Sequence, residues 1–94
     1  MNKYSITKLP SDILKQVADR HRTLRKANNY SQAALAVRSG VSLGTIKRFE
    51  SSGQISFESL LKLAYFLNSL QDFETIFFRD DNIEKLEKLF TSKK

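Results

Sequence analysis

The sequence predicts an all-α fold, a compact domain of five to six short helices. Three observations carry this. Apolar residues recur at helical spacing along most of the chain. An apolar residue, a serine and a further apolar residue form the same helix-start signal three times between residues 30 and 60. Glycine follows directly on two of the segments so begun.

Residues 1–10 are an arm that ends in the only proline. A helical pattern begins at Ser11, where Ser11 can cap and Asp12 suits the positive end of the helix dipole. Ile13, Val17 and Leu24, with Leu14 and Ala18 beside them, make one stripe. Lys26-Ala27-Asn28-Asn29 breaks the pattern, since paired Asn favours a turn. The repeated signal follows: Tyr30-Ser31 then Leu35, Val41-Ser42 then Ile46, Ile55-Ser56 then Leu60. In each, the serine oxygen can accept a free backbone N–H while the apolar pair fixes the angle of entry. The spacing predicts helices over 32–39 and 43–52, stopped by Gly40 and Gly53. Three residues alone separate this pair, which forces a sharp crossing rather than a long antiparallel hairpin. A third helix over 57–67 is the most apolar, with Leu60, Leu61, Leu63, Ala64 and Leu67 as a core floor. Asn68-Ser69 ends it, and short helices near 72–78 and 82–90 are expected after it.

Ninety-four residues make one domain with short extensions, and a small core. With no cysteine, a disulfide framework, a thiolate metal site and a cysteine nucleophile are excluded. His21 is the only histidine, so zinc has no histidine pair. No Gly-rich phosphate loop occurs and the carboxylates are scattered, so no catalytic residue, metal or cofactor is expected. No apolar run approaches the roughly 18 residues of a membrane helix, and no secretory signal is seen; the expected location is cytoplasmic.

The charge is uneven. Residues 1–50 hold ten Lys/Arg against three Asp/Glu, whereas residues 51–94 hold six against seven. A basic half on a small domain suggests a polyanionic partner, nucleic acid before membrane; the alternative is a solvated basic surface. On a helical wheel of 43–52, Ile46 and Phe49 share a face that must point inward. Gly44, Lys47, Arg48 and Ser51 lie opposite, at spacing i, i+3, i+4, i+7. Lys and Arg suit phosphates and guanine edges, a hydroxyl suits either, and glycine lets backbone approach closely. An amphipathic helix with this face after a three-residue turn fits a helix that reads the major groove; a solvated face on a core helix is the competing reading.

The segment SQAALAVRSGVSLGTIKRFE, residues 31–50, resembles the helix-turn-helix of the Cro/repressor (XRE) family. The matching positions are Gln32, Ala36, Gly40, Val41, Ile46 and Phe49, and the resemblance extends from Leu24-Arg25-Lys26 to about Phe77. It implies a lambda-repressor-like domain over 11–78, followed by a C-terminal helix and basic tail over 79–94. It further implies that Gln32 touches a phosphate or a base, and that Ser42, Leu43, Gly44, Thr45, Lys47 and Arg48 face the groove of double-stranded DNA. Leu43 would meet a thymine methyl. Arg25 and Glu50 occupy positions that form an ion pair in many members, with the arginine also near phosphate, and the loop over 52–56 would meet phosphate through its N–H groups. His21 stands where an apolar residue is usual and reads as a partly buried core-edge histidine; Leu43 and Gly44 stand where polar residues are common.

A narrower resemblance lies in SLGTIKRFESSGQISFESLLKLAYFLNSLQDFETIF, which is similar to the HipB-like antitoxins in its short ISFESLL helix and its ending Leu70, Asp72, Phe73, Glu74, Ile76, Phe77. It implies a repressor of its own operon that binds a HipA-like serine/threonine kinase; a phage-type or stand-alone repressor without a toxin, or a protein-interaction module that does not use DNA, are the alternatives. Phe73, Ile76, Phe77 and Phe78, then Ile83, Leu86, Leu89 and Phe90, form a surplus apolar stripe. Such a stripe marks a partner surface, here a two-fold dimer with reading helices about 34 Å apart on an inverted-repeat site, unless the last helix folds back on its own core. Asp80 and Asp81 read as cap and dipole partners of that helix.

Overall fold

The computed structural model describes residues 8–79 and residue 87. Within them the chain forms α1 (Pro10–Ala27), α2 (Gln32–Ser39), α3 (Leu43–Ser52), α4 (Phe57–Phe66) and a short 3-10 turn (Leu70–Phe73). The expected all-α class holds, with four α-helices among the described residues. Apart from residue 87, the expected helix over 82–90, with Ile83, Leu86, Leu89 and Phe90, lies outside them, as do Asp80, Asp81, most of the arm and the basic tail.

Each serine cap forms. Ser31, Ser42 and Ser56 are extended residues whose side chains accept from the backbone N–H of Ala34, Thr45 and Ser59. The apolar partners of all three signals, Tyr30 with Leu35, Val41 with Ile46 and Ile55 with Leu60, join the core. The signal thus does two things at once: it satisfies an orphan donor and delivers two side chains to one interior. Phe49, Leu35, Ile46 and Leu63 are fully enclosed, and Ala18, Val41, Ala64 and Leu67 complete the buried set. Ala36 is half-buried against this cluster.

Three elements differ from expectation. Helix α1 begins at Pro10, with Leu9 as the extended residue before it; Ser11 lies inside the helix and caps nothing. Proline's fixed φ and missing N–H suit the first helical position. Asp12 supplies the cap two residues on, its Oδ2 accepting from Leu9 N at 2.9 Å. In α4 the helix ends at Phe66 with Leu67 as its buried C-cap, and Leu60 and Leu61 are half-buried. The helix expected near 72–78 is instead the 3-10 turn followed by further three-residue turns, Ile76 N to Phe73 O and Phe78 N to Thr75 O. β-branched and aromatic residues crowd this stretch and are weak helix formers, and a short helix without deep packing does not sustain i to i+4 bonds. In α1, Ile13 and Leu14 sit at the rim, each more than two-fifths exposed.

Both glycine stops adopt the left-handed region, Gly40 at φ 77° and Gly53 at φ 85°. Their surroundings differ. A Cβ on Gly40 would meet nothing within 4 Å, whereas one on Gly53 would lie 2.8 Å from Leu14 Cβ and 2.9 Å from the Leu14 carbonyl. Gly53 is therefore where α1 rests directly on the end of α3. Gly40→Ala should cost about 1–2 kcal/mol in urea unfolding, the left-handed penalty alone. Gly53→Ala should cost distinctly more, because backbone must also move. Equal losses for the two variants would remove the Leu14 contact from the account.

Candidate nucleic-acid interface

Helix α3 divides into two faces as its wheel requires. Ile46 and Phe49 are enclosed, at 0% and 1% exposure. Gly44, Lys47, Arg48 and Ser51 are all exposed. The buried side is completed by Glu50, which is 4% exposed and acts as the hub of a polar cluster. Arg25 grips it side-on, Nε to Oε2 at 2.8 Å and Nη2 to Oε1 at 2.9 Å. His21 Nδ1 approaches Oε2 at 2.8 Å and Gln32 Nε2 donates to Oε1 at 2.9 Å. Arg22 adds an outer contact, Nη2 donating to the Glu50 carbonyl at 3.3 Å. One carboxylate thereby ties α1 and α2 to the end of α3.

Its protonation follows from these neighbours. Burial pushes the Glu50 carboxyl up, but hydrogen bonds from Arg25 and Gln32 and the positive charge of Arg25 outweigh it and hold the group at about 2. Burial pushes His21 down, against the opposing pull of Glu50 and with help from Arg25. The geometry agrees: Nδ1 carries the proton that faces Glu50, and Nε2 is enclosed without a hydrogen-bond partner among the described residues. A second proton on Nε2 would have no acceptor there. Glu50 holds the Arg25 guanidinium above its ordinary value by hydrogen bonding.

The open face has its own order. Ser42 Oγ donates to Thr45 Oγ1 at 2.8 Å while accepting from Thr45 N, so the two hydroxyls hold each other at the start of α3. Arg48 Nη2 donates to Gln54 Oε1 at 2.6 Å. Ser52 Oγ donates to the Arg48 carbonyl and accepts from Gln54 N, which closes the loop after the helix and spends the Gln54 N–H internally. A Cβ on Gly44 would meet nothing within 4 Å, so the backbone there faces open space. Leu43 and Thr45 are half-exposed.

The structure thus brings Ser42, Leu43, Gly44, Thr45, Lys47 and Arg48 together on one helix end and its face. It places Arg25 and Gln32 apart from them. Arg25 is 6% exposed, with its third nitrogen on the Tyr30 carbonyl at 2.8 Å, and Gln32 is turned onto Glu50. Three participants were not singled out for these roles in the sequence: His21 as a ligand of Glu50, Arg22 and Gln54. The first two were within reach, since residues 21, 22 and 25 share one side of a helix and Arg25 already points to Glu50. Gln54 carried no such signal. Of the apolar stripe, Phe73 is half-buried with its ring edge-on to Phe57 at 6.1 Å, and Ile76, Phe77 and Phe78 are exposed.

This pair of capped helices around a three-residue turn, with a cationic outer face, is a helix-turn-helix DNA-binding domain. The sequence model of the helix-turn-helix family matches residues 22–73, more than half of the chain, and the chain belongs to that family, the DNA-binding transcription regulators of Cro/repressor (XRE) type. No curated protein and no solved structure matches the chain. Among the described residues no helix is long and apolar enough to cross a membrane.

The cluster makes stability depend on pH with a definite sign. His21 has its folded pKa below the ordinary 6.5, so its contribution is complete above that value and is lost as pH falls through it. Glu50 behaves alike at lower pH, its contribution fading from about 4.5 towards about 2. Thermal unfolding should show a Tm that declines between pH 7 and 5, before the carboxylates titrate. The decline should vanish in His21→Gln. A slope that survives this substitution would assign it to another group.

Proposed function

We propose that the protein is a sequence-specific transcriptional repressor that inserts α3 into the major groove of an inverted-repeat operator. The observation that carries this is the open side of α3: Gly44, Lys47, Arg48 and Ser51 all exposed, directly opposite the enclosed Ile46 and Phe49. In this reading Ser42, Leu43, Gly44 and Thr45 enter the groove first, with Leu43 against a thymine methyl and the Gly44 backbone close to the DNA. Lys47 and Arg48 supply the charge. Gln32 and Arg25 support from behind, Gln32 at the positive end of α2 near the phosphates and Arg25 by fixing Glu50 and with it the pitch of α3. The chain acts in the cytoplasm, where the operator is.

Operator binding measured against salt tests the reading. Affinity should fall steeply between about 50 and 200 mM salt, as neutralised phosphates release counterions. Arg48→Ala should cost about 1–3 kcal/mol and relax the preference at one base if Arg48 reads guanine. Weak binding with no salt dependence would favour a protein-interaction module.

The repressor pairs through Phe73, Ile76, Phe77 and Phe78, continued by Ile83, Leu86, Leu89 and Phe90. What supports this is the cluster of large apolar groups at the surface, with Ile76 and Phe78 each 43% exposed. Phe77→Asp should give monomers by light scattering and weaken binding to the full repeat more than to a half-site. A variant that stays dimeric would place the interface elsewhere.

The narrower reading is an antitoxin of HipB-like type that represses its own operon and holds a HipA-like serine/threonine kinase. Its support is the pattern Leu70, Asp72, Phe73, Glu74, Ile76, Phe77 after a serine-capped α4. Co-expressed with a kinase gene adjoining its own, the chain should copurify with the kinase. A neighbourhood of phage genes, or no complex, would leave the repressor standing without a toxin.

A further inference from the structure

The loop after α3 closes a ring of hydrogen bonds around Arg48. Ser52 Oγ donates to the Arg48 carbonyl at 2.7 Å. The same oxygen accepts from Gln54 N at 3.2 Å. Gln54 then returns to Arg48 through its side chain, Oε1 accepting from Nη2 at 2.6 Å. The ring thus ties the guanidinium of residue 48 to its own backbone by way of the loop. Arg48 and Gln54 are exposed and Ser52 is half-buried, yet the loop itself is anchored on both sides of Gln54. Before it, Gly53 is buried with Leu14 of α1 directly against it. After it, Ile55 packs on the core. An exposed amide is therefore held out from a fixed stretch of backbone towards the arginine. Lys47, beside Arg48 on the open face, makes no such contact among the described residues.

We propose that Gln54 is a positioning residue for base recognition: it holds the Arg48 guanidinium in the orientation that meets a guanine, and so sets how sharply one base pair is read. This rests on the repressor reading above. A guanidinium has five N–H donors, and Gln54 engages one. Four remain, enough for a two-point contact with guanine O6 and N7. An arginine already held loses less side-chain freedom on binding than one on a free stem. A fork of fixed direction also meets its acceptors in one place, so a wrong base at that place leaves it unpaired. The amide is neutral, so the hold leaves the positive charge of Arg48 undiminished. A carboxylate at position 54 would keep the grip and cancel the charge. Gln54 thus acts on DNA through Arg48.

The test uses the full chain and a duplex site that it selects from random DNA. Gln54→Ala should bind that site roughly two- to ten-fold more weakly, with the guanine preference relaxed at one base pair and kept at the others. Its Tm should stay at the parent value, since the side chain lies outside the core. In an Arg48→Ala background the same substitution should change nothing, whereas in a Lys47→Ala background it should keep its full effect. Gln54→Glu should bind weakly, its salt dependence shallower by about one phosphate contact. Equal losses from Gln54→Ala with and without Arg48 would mean that Gln54 touches DNA itself, and would overturn the positioning role. No loss in either background would overturn it as well. Without DNA, nitrogen relaxation at Arg48 Nε should show a more mobile side chain in Gln54→Ala and in Ser52→Ala than in the parent. Unchanged mobility would overturn the hold. A chain that selects no site would overturn the repressor reading, and the relaxation result would then still decide whether Gln54 holds Arg48.

Discussion

The structure depends on one buried carboxylate. Glu50 is the only acidic residue in the sequence between Asp19 and Glu58, and it is enclosed at the inner end of the reading helix. Taking a carboxylate out of water costs several kcal/mol, which attraction offsets only if every lone pair finds a donor. Here Arg25 supplies a two-point grip, and His21 and Gln32 take one oxygen each. A satisfied buried cluster of this kind is directional in a way that apolar packing is not. Ile46 and Phe49 hold α3 against the core through contacts that have no preferred direction. The fork of Arg25 accepts one position of the carboxylate, and that position sets the rotation of α3 about its own axis. Loss of one partner would strand a charge inside, at a typical cost of about 3–5 kcal/mol.

The same cluster decides which cations remain for a polyanion. Formal charge in the first half of the chain overstates what is presented, because Arg25 is spent inside and Arg22 lies partly over the Glu50 carbonyl. Lys47 and Arg48 remain on the outer side of α3. The division is enforced by helical geometry: residue 50 lies on the side of residues 46 and 49, while 44, 47, 48 and 51 fall away from it. One ten-residue helix can thus be anchored by a charge and present charges, with no conflict between the two.

How much of this was legible in the sequence differs by the range of the interaction. The serine caps, the two glycine stops and the inward pair Ile46 and Phe49 all formed as read, because each is local and set by spacing within one or two turns. The Arg25–Glu50 pair came from a family resemblance, not from spacing, since nothing local joins positions 25 residues apart. The start of α1 differs from expectation because Ser11 reads as the cap, with Asp12 as its dipole partner, whereas the cap position is Leu9. Proline at the first helical position moves the cap two residues earlier and puts Asp12 where its carboxylate reaches back to Leu9 N. The helix expected over 72–78 is a 3-10 turn and further tight turns, because its β-branched and aromatic residues are weak helix formers and only Phe73, edge-on to Phe57, packs inward. His21 was recognised as a core-edge residue, but its partner is on another helix and its unpaired nitrogen is a property of the folded interior alone. Of the residues expected to touch DNA, those of α3 and its cap come together at one helix end, whereas Arg25 and Gln32 are drawn onto Glu50.

The start of α3 also bears on how a repressor of this build reaches specificity. Ser42 and Thr45 bond to each other, so their hydroxyls would enter a groove already partly satisfied. Leu43 and Gly44 bring no side-chain donor or acceptor. In the proposed groove-reading arrangement, discrimination by hydrogen bonding would therefore fall mainly on Lys47 and Arg48, and Arg48 is drawn to Gln54 at the loop. That contact orients the guanidinium and makes its loss of freedom on binding smaller, but it also takes up one of its donors. Each good bidentate base contact contributes only about 1–3 kcal/mol of discrimination, so one copy of this helix reads a short stretch weakly. Two copies held at a fixed separation read two stretches and the spacing between them, which multiplies the selectivity of each. In the proposed repressor a sparse reading helix and an apolar pairing surface would therefore be parts of one solution, with the rigidity that Glu50 gives α3 making a fixed spacing meaningful.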